Sequence, residues 1–314
     1  MQRSLFLSLL VGAGSLLCAP AHAIILYGAG NDATTSDPGG GLPFTNVARV
    51  TNNAGSVTWG SAVYLGNGWV LGASHVGTIN YVQFNAGGAR YARDTSTSTV
   101  RLGSSDLVLT KLTSLPNLPS VPIYDFAQLR AGGVMVGWGL GRASTEALYD
   151  NNVTWGDSST AARRWGLNAI EAVTTYTDSA DRTTEAFVTV AGNADPVLEL
   201  PQFNSFQGDY EASATQYDSG SAFYTFYNDV WYLSGLTLAV EKPNNQNATL
   251  FGIDNVTDEE RGNYNIFANL SLYATQINAV VNPSPAPTVP EPKAFALLGG
   301  TAALGLLGWR RRQK

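Results

Sequence analysis

The sequence contains very little cysteine and histidine. Its 314 residues include one cysteine, Cys18, and two histidines, His22 and His75. A chain with a single thiol cannot build an internal disulfide framework. We likewise expect no closed zinc site, because zinc is held mainly by cysteine and histidine side chains. No metal and no cofactor is therefore expected, and stability has to come from a packed core.

Residues 1–23 have the pattern of an export signal. A short positively charged start precedes an apolar run from Leu5 to Leu17, and Ala21–Ala23 fits the small-x-small pattern that signal peptidase accepts. We expect this segment to be removed during Sec export, so that the mature chain begins at Ile24. The cysteine and the first histidine lie in the removed segment, which leaves His75 as the only imidazole.

Charge is also sparse and leans to one sign. The chain has 18 basic and 24 acidic residues, a formal net charge of −6, and only 13% charged residues. Nucleic-acid binding depends largely on Lys and Arg contacts with phosphates, so an acidic chain with few basic residues is not expected to have nucleic acid as a partner. About 250 residues remain between the two ends, which is enough to bury a sizeable core.

The C-terminal end divides into a proline-rich linker and an apolar segment. Residues 281–289 form the linker, a Pro-Glu-Pro stretch follows at Pro290–Pro292, and residues 294–309 are almost purely apolar before a cluster of arginines. The apolar run is slightly short for the ~20 residues of a full membrane span. The basic tail would stay on the cytoplasmic side. An ordinary tail anchor is one interpretation of this pattern.

The same layout of residues 290–314 resembles the PEP-CTERM sorting signal, with a transmembrane helix at about 294–309. The resemblance implies a Gram-negative bacterium whose exosortase processes the segment. It further implies transient association with the inner membrane, followed by release or attachment at the cell exterior.

The middle of the chain is typical of an all-β protein. Short apolar runs recur between turns rich in Gly, Asn, Asp, Ser and Thr, which predicts many short strands in a sandwich or in barrels. The predicted strands include residues 60–65, 69–71, 106–109, 134–136, 186–190 and 231–233.

One helix is predicted at the end of this region, from Ile266 to Val280. Ile266, Leu270, Tyr273 and Ile277 recur there at helical spacing.

His75 follows one of the predicted strands, and a lone histidine in that position is usually structural. Two further stretches change this interpretation. Asp106 stands directly before a strongly apolar strand, and Ser219 lies in a loop of small residues. Taken singly, these are a turn aspartate and a surface serine. Together they supply a nucleophile, a base and an orienting carboxylate, in the chain order His, Asp, Ser.

The local sequences around these three residues resemble those of the trypsin-like, chymotrypsin-fold serine peptidases. Gly72–Val76 resembles the Ala-Ala-His-Cys corner, residues 105–112 resemble the Asp-Ile-Ala-Leu-Leu-Lys-Leu strand, and Asp218–Gly220 is the centre of Gly-Asp-Ser-Gly-Gly. Three scaffold stretches resemble the family in the same order along the chain, at residues 60–71, 137–139 and 231–236.

The resemblance covers most of residues 24–280 and implies a specific architecture. It implies two six-stranded antiparallel β-barrels, expected at residues 24–140 and 141–280, with a C-terminal helix. Ser219 would be the nucleophile, His75 the general base and then acid, and Asp106 the residue that orients His75. The implied activity is that of a serine endopeptidase acting through an acyl-enzyme on protein or peptide substrates.

Two positions depart from the family or limit what it implies. The backbone N–H groups of Tyr217 and Ser219 would form the oxyanion hole, but Tyr217 stands where the family has glycine and has a narrower choice of φ. The base of the primary specificity pocket would be Ser213, which favours an apolar or aromatic substrate residue over Arg or Lys. Glu211 or Asp209 would reach the pocket if the alignment slips by a few residues.

The expected mature N-terminus suggests an ion pair. In many relatives a newly exposed isoleucine amino group pairs with the aspartate before the nucleophile. Signal cleavage would expose Ile24, and its partner would be Asp218. The alternative is that Ile24 simply begins a β-strand.

Two other classes of protein remain open at this point. One is a catalytically weak or inactive surface or matrix binding protein with a peptidase fold, which Tyr217 favours. The other is a carboxylate-pair glycosidase, for which the sequence offers no specific pair.

Overall fold

The computed structural model describes residues 24–27, 34–52, 58–125, 131–143, 152–192, 210–242, 247–251 and 262–283. Several predicted features lie outside these ranges: the export signal at 1–23, most of the linker, the sorting segment at 290–314 with its apolar run, and Asp209. Within the described ranges no helix is both long enough and apolar enough to cross a bilayer.

Eighteen strands and one α-helix occur in the described part of the chain. The strands are β1 (Ile25–Leu26), β2 (Val47–Thr51), β3 (Thr58–Gly66), β4 (Trp69–Ala73), β5 (Tyr81–Gln83), β6 (Arg90–Ala92), β7 (Val100–Arg101), β8 (Leu107–Lys111), β9 (Gly132–Gly137), β10 (Asn152–Thr154), β11 (Arg164–Ala169), β12 (Ala172–Thr177), β13 (Thr183–Val190), β14 (Ala212–Ser213), β15 (Ala222–Tyr227), β16 (Val230–Val240), β17 (Ala248–Leu250) and β18 (Tyr264–Asn269). The helix is α1 (Ala274–Val281), and short 3-10 turns lie at Phe44–Asn46, Ser74–Val76, Ser158–Thr160 and Leu270–Leu272.

The first large sheet has the order β6-β5-β2-β3-β4-β8-β7, and all neighbours are antiparallel. Its two sides meet just beyond β6 and β8, where Arg93 pairs with Leu112 and the Asp94 N–H donates to the Lys111 carbonyl over 2.8 Å. The six strands β2, β3, β4, β5, β6 and β8 therefore close into a barrel, and β7 is a short addition at the edge of β8.

The second large sheet has the order β11-β9-β15-β16-β18-β13-β12 and is also antiparallel throughout. The residues that follow β11 reach back to β13, since the Glu171 N–H donates to the Val188 carbonyl over 2.9 Å. Six strands again form the curled sheet, and β12 extends it as a seventh. The all-β class and the paired antiparallel sheets agree with the architecture that the sequence implied.

Alternate residues along a strand pack into different parts of the core. On β3, Ala62 and Tyr64 belong to the cluster inside the first barrel, whereas Val63 and Leu65 belong to a cluster shared by both sheets. That shared cluster also contains residues of β9, such as Val136. Because successive strand residues point to opposite faces, one strand both fills its own barrel and packs against the other.

The second sheet begins before residue 140, where the boundary between the two halves was expected. Strand β9 pairs with β11 and β15, so the second sheet begins at Gly132. The first strand also crosses the expected division, since Ile25 pairs with Ser213 of β14. The N-terminus is thereby attached to the second half of the chain.

The helix predicted for Ile266–Val280 is only partly correct. Residues 264–269 form strand β18, which pairs with β13 on one side and β16 on the other. The α-helix begins at Ala274 and ends at Val281. Strand pairing on both sides outweighs the few residues that happen to recur at helical spacing.

Substitution of Phe267 by alanine tests the core of the second sheet. Phe267 is 0% exposed, and its ring centroid lies 5.2 Å from those of Phe187 and Phe223. Truncation leaves a cavity among these rings, so Phe267→Ala should lower the free energy of unfolding by about 3–5 kcal/mol in urea denaturation. The control Leu272→Ala, at a side chain that is 60% exposed, should change it by less than about 0.5 kcal/mol. Equal effects would contradict this description of the core.

Candidate active site

Pairing of β4 with β8 brings His75 and Asp106 together. Ala73 is the Cα partner of Leu107, so the residues that follow β4 meet those that precede β8. The Ser74 N–H donates to the Asp106 carbonyl over 2.8 Å, and the His75 N–H donates to Asp106 Oδ1 over 2.8 Å. Backbone hydrogen bonds thus hold the Asp106 carboxylate in place independently of its contact with the imidazole.

The three side chains named by the sequence form a continuous chain of contacts. His75 Nδ1 lies 2.5 Å from Asp106 Oδ2, and His75 Nε2 lies 2.7 Å from Ser219 Oγ. The Asp106 side chain is 0% exposed and that of His75 is 30% exposed. A buried carboxylate on Nδ1 favours the tautomer with its proton on Nδ1, which leaves Nε2 free to accept the serine proton.

The loop that carries Ser219 is attached to the first barrel. The Ser61 N–H of β3 donates to the Ser219 carbonyl over 2.7 Å, and the Gly220 N–H donates to the Thr237 carbonyl over 2.8 Å. Gly220 has φ +87°, and a Cβ at this position would collide with the Ser61 carbonyl oxygen. Only glycine combines a favourable positive φ with the lack of a Cβ, so backbone packing determines the residue that follows Ser219.

Tyr217 adopts a left-handed backbone conformation. Its φ is +74°, in the region that glycine usually occupies. The side chain packs against an apolar cluster that includes Ile25, Leu140, Trp155 and Phe251. This packing accounts for a tyrosine at a position with a strained backbone.

The backbone N–H groups of Tyr217 and Ser219 have no hydrogen-bond acceptor within the described residues. The neighbouring N–H groups do have acceptors: that of Asp218 donates to the Thr215 carbonyl and that of Gly220 to Thr237. The two amides that the sequence assigned to an oxyanion hole are therefore available for one.

Asp218 is buried and accepts several backbone hydrogen bonds. The Gly139 N–H donates to its Oδ1 over 2.7 Å, and the Thr215 N–H donates to its Oδ2 over 2.8 Å. The backbone N–H of Ile24 also donates to this carboxylate. Burial raises the pKa of Asp218 to about 6, although these hydrogen bonds act in the opposite direction.

The Gly-Trp-Gly stretch has a direct structural reason. A Cβ at Gly137 or at Gly139 would collide with the carboxylate of Asp218. Between them, the Trp138 N–H donates to Ser61 Oγ over 3.1 Å. This stretch therefore packs directly against the buried Asp218, the residue before Ser219.

Ser213 is placed in strand β14 and is 0% exposed. Its hydroxyl donates to Asn265 Oδ1 over 3.0 Å. Glu211 is 5% exposed, and its Oε1 accepts the Gly192 N–H over 2.7 Å. The side chains of Ser213 and Glu211 are therefore both hydrogen-bonded inside the protein.

Arg182 is a residue of the site that the sequence did not indicate. Its Nε lies 3.3 Å from Asp106 Oδ1, on the oxygen that is not bonded to the imidazole ring. Arg182 belongs to the turn between β12 and β13, far from any motif.

The described residues contain no group of three or more side chains suited to hold a metal ion.

Comparisons with known proteins give similarity of structure only. No protein-family model matches the chain, and no curated protein matches it. It is similar to mouse neuropsin, a serine protease expressed in the limbic system of the brain, at 14% identity and a TM-score of 0.48, covering 79% of this chain and 98% of that one. It is also similar to a mutant of human heparin binding protein (CAP37), at 13% identity, a TM-score of 0.49 and coverage of 81% and 98%.

A third similar structure is the inactive form of the Mycobacterium tuberculosis protein Rv3671c, at 13% identity, a TM-score of 0.44 and coverage of 78% and 90%. Because the sequence identities and TM-scores are this low, the chemistry of this chain has to be argued from its own geometry.

Two substitutions at Tyr217 separate strain from packing. Tyr217→Gly and Tyr217→Ala both lose the ring, but only alanine keeps a Cβ at φ +74°. The glycine variant should therefore be the more stable by about 1 kcal/mol in urea denaturation. The same pair at the exposed strand residue Thr175 should show the reverse order, because glycine weakens a strand. An alanine variant as stable as the glycine variant would show that the backbone at residue 217 is unstrained.

Proposed function

We propose that this protein is a serine endopeptidase that hydrolyses peptide bonds through an acyl-enzyme formed on Ser219. The observation that carries the proposal is the pair of short contacts from Asp106 to His75 and from His75 to Ser219, at 2.5 and 2.7 Å. An imidazole held by a buried carboxylate and in contact with a hydroxyl is the arrangement that activates serine for acyl transfer.

The proposed reaction uses each group in turn. Ser219 Oγ attacks the carbonyl carbon of the scissile bond while its proton passes to His75 Nε2. The tetrahedral intermediate collapses, the C–N bond breaks, and His75 gives the proton to the leaving amine. Water then attacks the acyl-enzyme with His75 again as base, which releases the acid product and restores Ser219. Asp106 stays ionised and stabilises the imidazolium at each stage.

The negative oxygen of the intermediate would be stabilised by the N–H groups of Tyr217 and Ser219. Their lack of other acceptors in the described part of the chain supports this role. Because Tyr217 already has φ +74°, its side chain does not force the backbone away from the required conformation. The feature that favoured an inactive binding protein is thereby weakened. Losing one such donor typically costs ~10²–10³ in rate.

Export and sorting form the second part of the proposal. The N-terminal signal would direct Sec export, and an exosortase would act on residues 290–314 after transient insertion of their apolar run in the inner membrane. The protein would then act at the exterior of a Gram-negative cell. The sequence patterns at the two ends support this part, and both lie outside the described residues.

Removal of the signal would also complete the site. Ile24 is 0% exposed, and its backbone N–H donates to Asp218. Cleavage before Ile24 would replace that amide by an ammonium group beside a buried carboxylate. An ion pair there would help hold the Tyr217–Ser219 segment in position.

Substitution of Ser219 or His75 by alanine tests the reaction. Each change removes one member of a unit that works only when complete, so kcat/KM should fall by about 10⁴-fold or more. The measurement is hydrolysis of a random peptide library by the mature protein, with product ends identified by mass spectrometry. Ser221→Ala is a suitable control, because that hydroxyl contacts Thr237 inside the fold. A Ser219→Ala variant with undiminished activity would contradict the proposal.

One added residue before Ile24 tests the ion pair. With an amide at Ile24 the pKa of Asp218 is raised to about 6, above its ordinary value of about 3.9. The extended protein should therefore lose stability as the pH rises from about 4 to 6, since its folded state binds a proton that the unfolded state has released. An ammonium at Ile24 lowers the pKa of Asp218 and removes that loss.

The difference in Tm between the mature and the extended protein should thus grow across this window and shrink above about pH 8, where an α-amino group loses its charge. The extended protein should also be the less active one. Equal activity together with a constant Tm difference would exclude the pairing.

A further inference from the structure

The carboxylate of Asp106 makes one contact that the proposed reaction does not use. His75 occupies Oδ2, and Arg182 Nε lies 3.3 Å from Oδ1. The arginine side chain is 15% exposed and that of the aspartate is 0% exposed. A cation at this distance, shielded from water, interacts more strongly with a carboxylate than an exposed pair does.

Arg182 reaches Asp106 from the other sheet. It lies in the turn between β12 and β13, whereas Asp106 precedes β8 of the first barrel. The connection is reinforced next to it, because the Asp106 N–H donates to Thr184 Oγ1 over 2.8 Å. The turn and the start of β13 thus contact both the side chain and the backbone of the residue that orients His75.

The turn itself holds the guanidinium in place. Asp178 Oδ2 lies 2.5 Å from Arg182 Nε, and Asp178 Oδ1 accepts the N–H groups of Ala180 and Arg182 over 2.8 and 3.0 Å. The Asp178 side chain is 5% exposed. Arg182 therefore stands between two carboxylates, one from its own turn and one from the candidate active site.

We propose that Arg182 is a positioning residue for the Asp106–His75 pair. Oδ1 already accepts the His75 N–H, and the positive charge of Arg182 beside that oxygen supports the orientation in which Oδ2 faces the imidazole. By its charge, it offsets the negative field of the Asp106 and Asp178 carboxylates at His75. Its effect on catalysis rests on the proposed function, but its effect on the titration of His75 does not.

Other charged and titratable groups also lie near the Asp106–His75 pair. On the same turn, Asp178 adds a negative charge. From β7, Arg101 donates to Ser74 Oγ over 3.0 Å and adds a positive charge next to His75. From β12, Tyr176 faces the carboxylates, and burial together with the charges of Asp106 and Asp178 raises the pKa of its hydroxyl. Arg182 is the cation in direct contact with the Asp106 carboxylate among the described residues.

The experiment uses the single histidine of the mature chain. With the export signal removed, the imidazole resonance in a proton NMR titration belongs to His75 alone. In Arg182→Gln, the charge that offsets the two carboxylates at Asp106 and Asp178 is lost while Arg101 is unchanged, so the titration midpoint should move to higher pH. In Asp178→Asn, Arg182 acts with its full charge, so the midpoint should move to lower pH. Arg182→Lys should lie closer to the unmodified protein than Arg182→Gln does.

Asp181→Asn is the matched control. This exposed residue lies in the same turn with φ +57°, which asparagine tolerates. The variant should leave the midpoint unchanged. A purely structural role for the turn would move the Arg182 and Asp178 variants in the same direction, whereas the charge argument requires opposite directions. Unchanged midpoints, or shifts of the same sign, would overturn the proposal.

Activity provides a second readout. In Arg182→Gln the acid limb of the pH profile of kcat/KM should move to higher pH, and the plateau should fall by about 10-fold, because the orienting carboxylate is less constrained. If the unmodified protein hydrolyses no peptide, the proposed function fails while the NMR titration still decides the role of Arg182. If Arg182→Gln does not fold, the direction of the shift in Asp178→Asn decides it.

Discussion

The contact between strand β3 and the Ser219 loop is the interaction on which the rest of the site depends. A backbone hydrogen bond from the Ser61 N–H to the Ser219 carbonyl joins the two barrels at Ser219. The hydroxyl oxygen of Ser61 also accepts the Trp138 N–H. Because Gly220 has no side chain, its backbone can approach that of Ser61 closely. Ser219 thereby reaches His75, which belongs to the first barrel.

Two fully buried carboxylates lie on either side of this contact, and each is stabilised in a different way. Asp106 accepts the backbone N–H of His75 and contacts the imidazole and the Arg182 guanidinium. Asp218 accepts backbone N–H groups and interacts electrostatically with the buried Arg164, yet burial still raises its pKa to about 6. A buried acid that is compensated mainly by amides is well suited to a further positive charge. This difference explains why the pairing with the mature N-terminus would matter for Asp218 and not for Asp106.

Much of the site was predictable because its parts are local in sequence. His75, Asp106 and Ser219 each stand next to an apolar strand or a run of small residues, and the strands predicted at 69–71 and 106–109 are present as β4 and β8. Arg182 had no such signal, since its role comes only from the packing of a turn in one barrel against a carboxylate in the other. The same limit applies to the fold: which sheet contains β9, and whether residues 264–269 form a strand or a helix, depend on strand pairing between distant segments.

The central claim is that Ser219 is an activated nucleophile in the folded protein. The most direct measurement is intact-protein and peptide mass spectrometry after exposure to a fluorophosphonate, which reacts with activated serines. The geometry predicts one adduct per molecule, located on Ser219, absent from the urea-unfolded chain and absent from His75→Ala. A folded protein that forms no adduct, or that forms it on another residue, would contradict the claim.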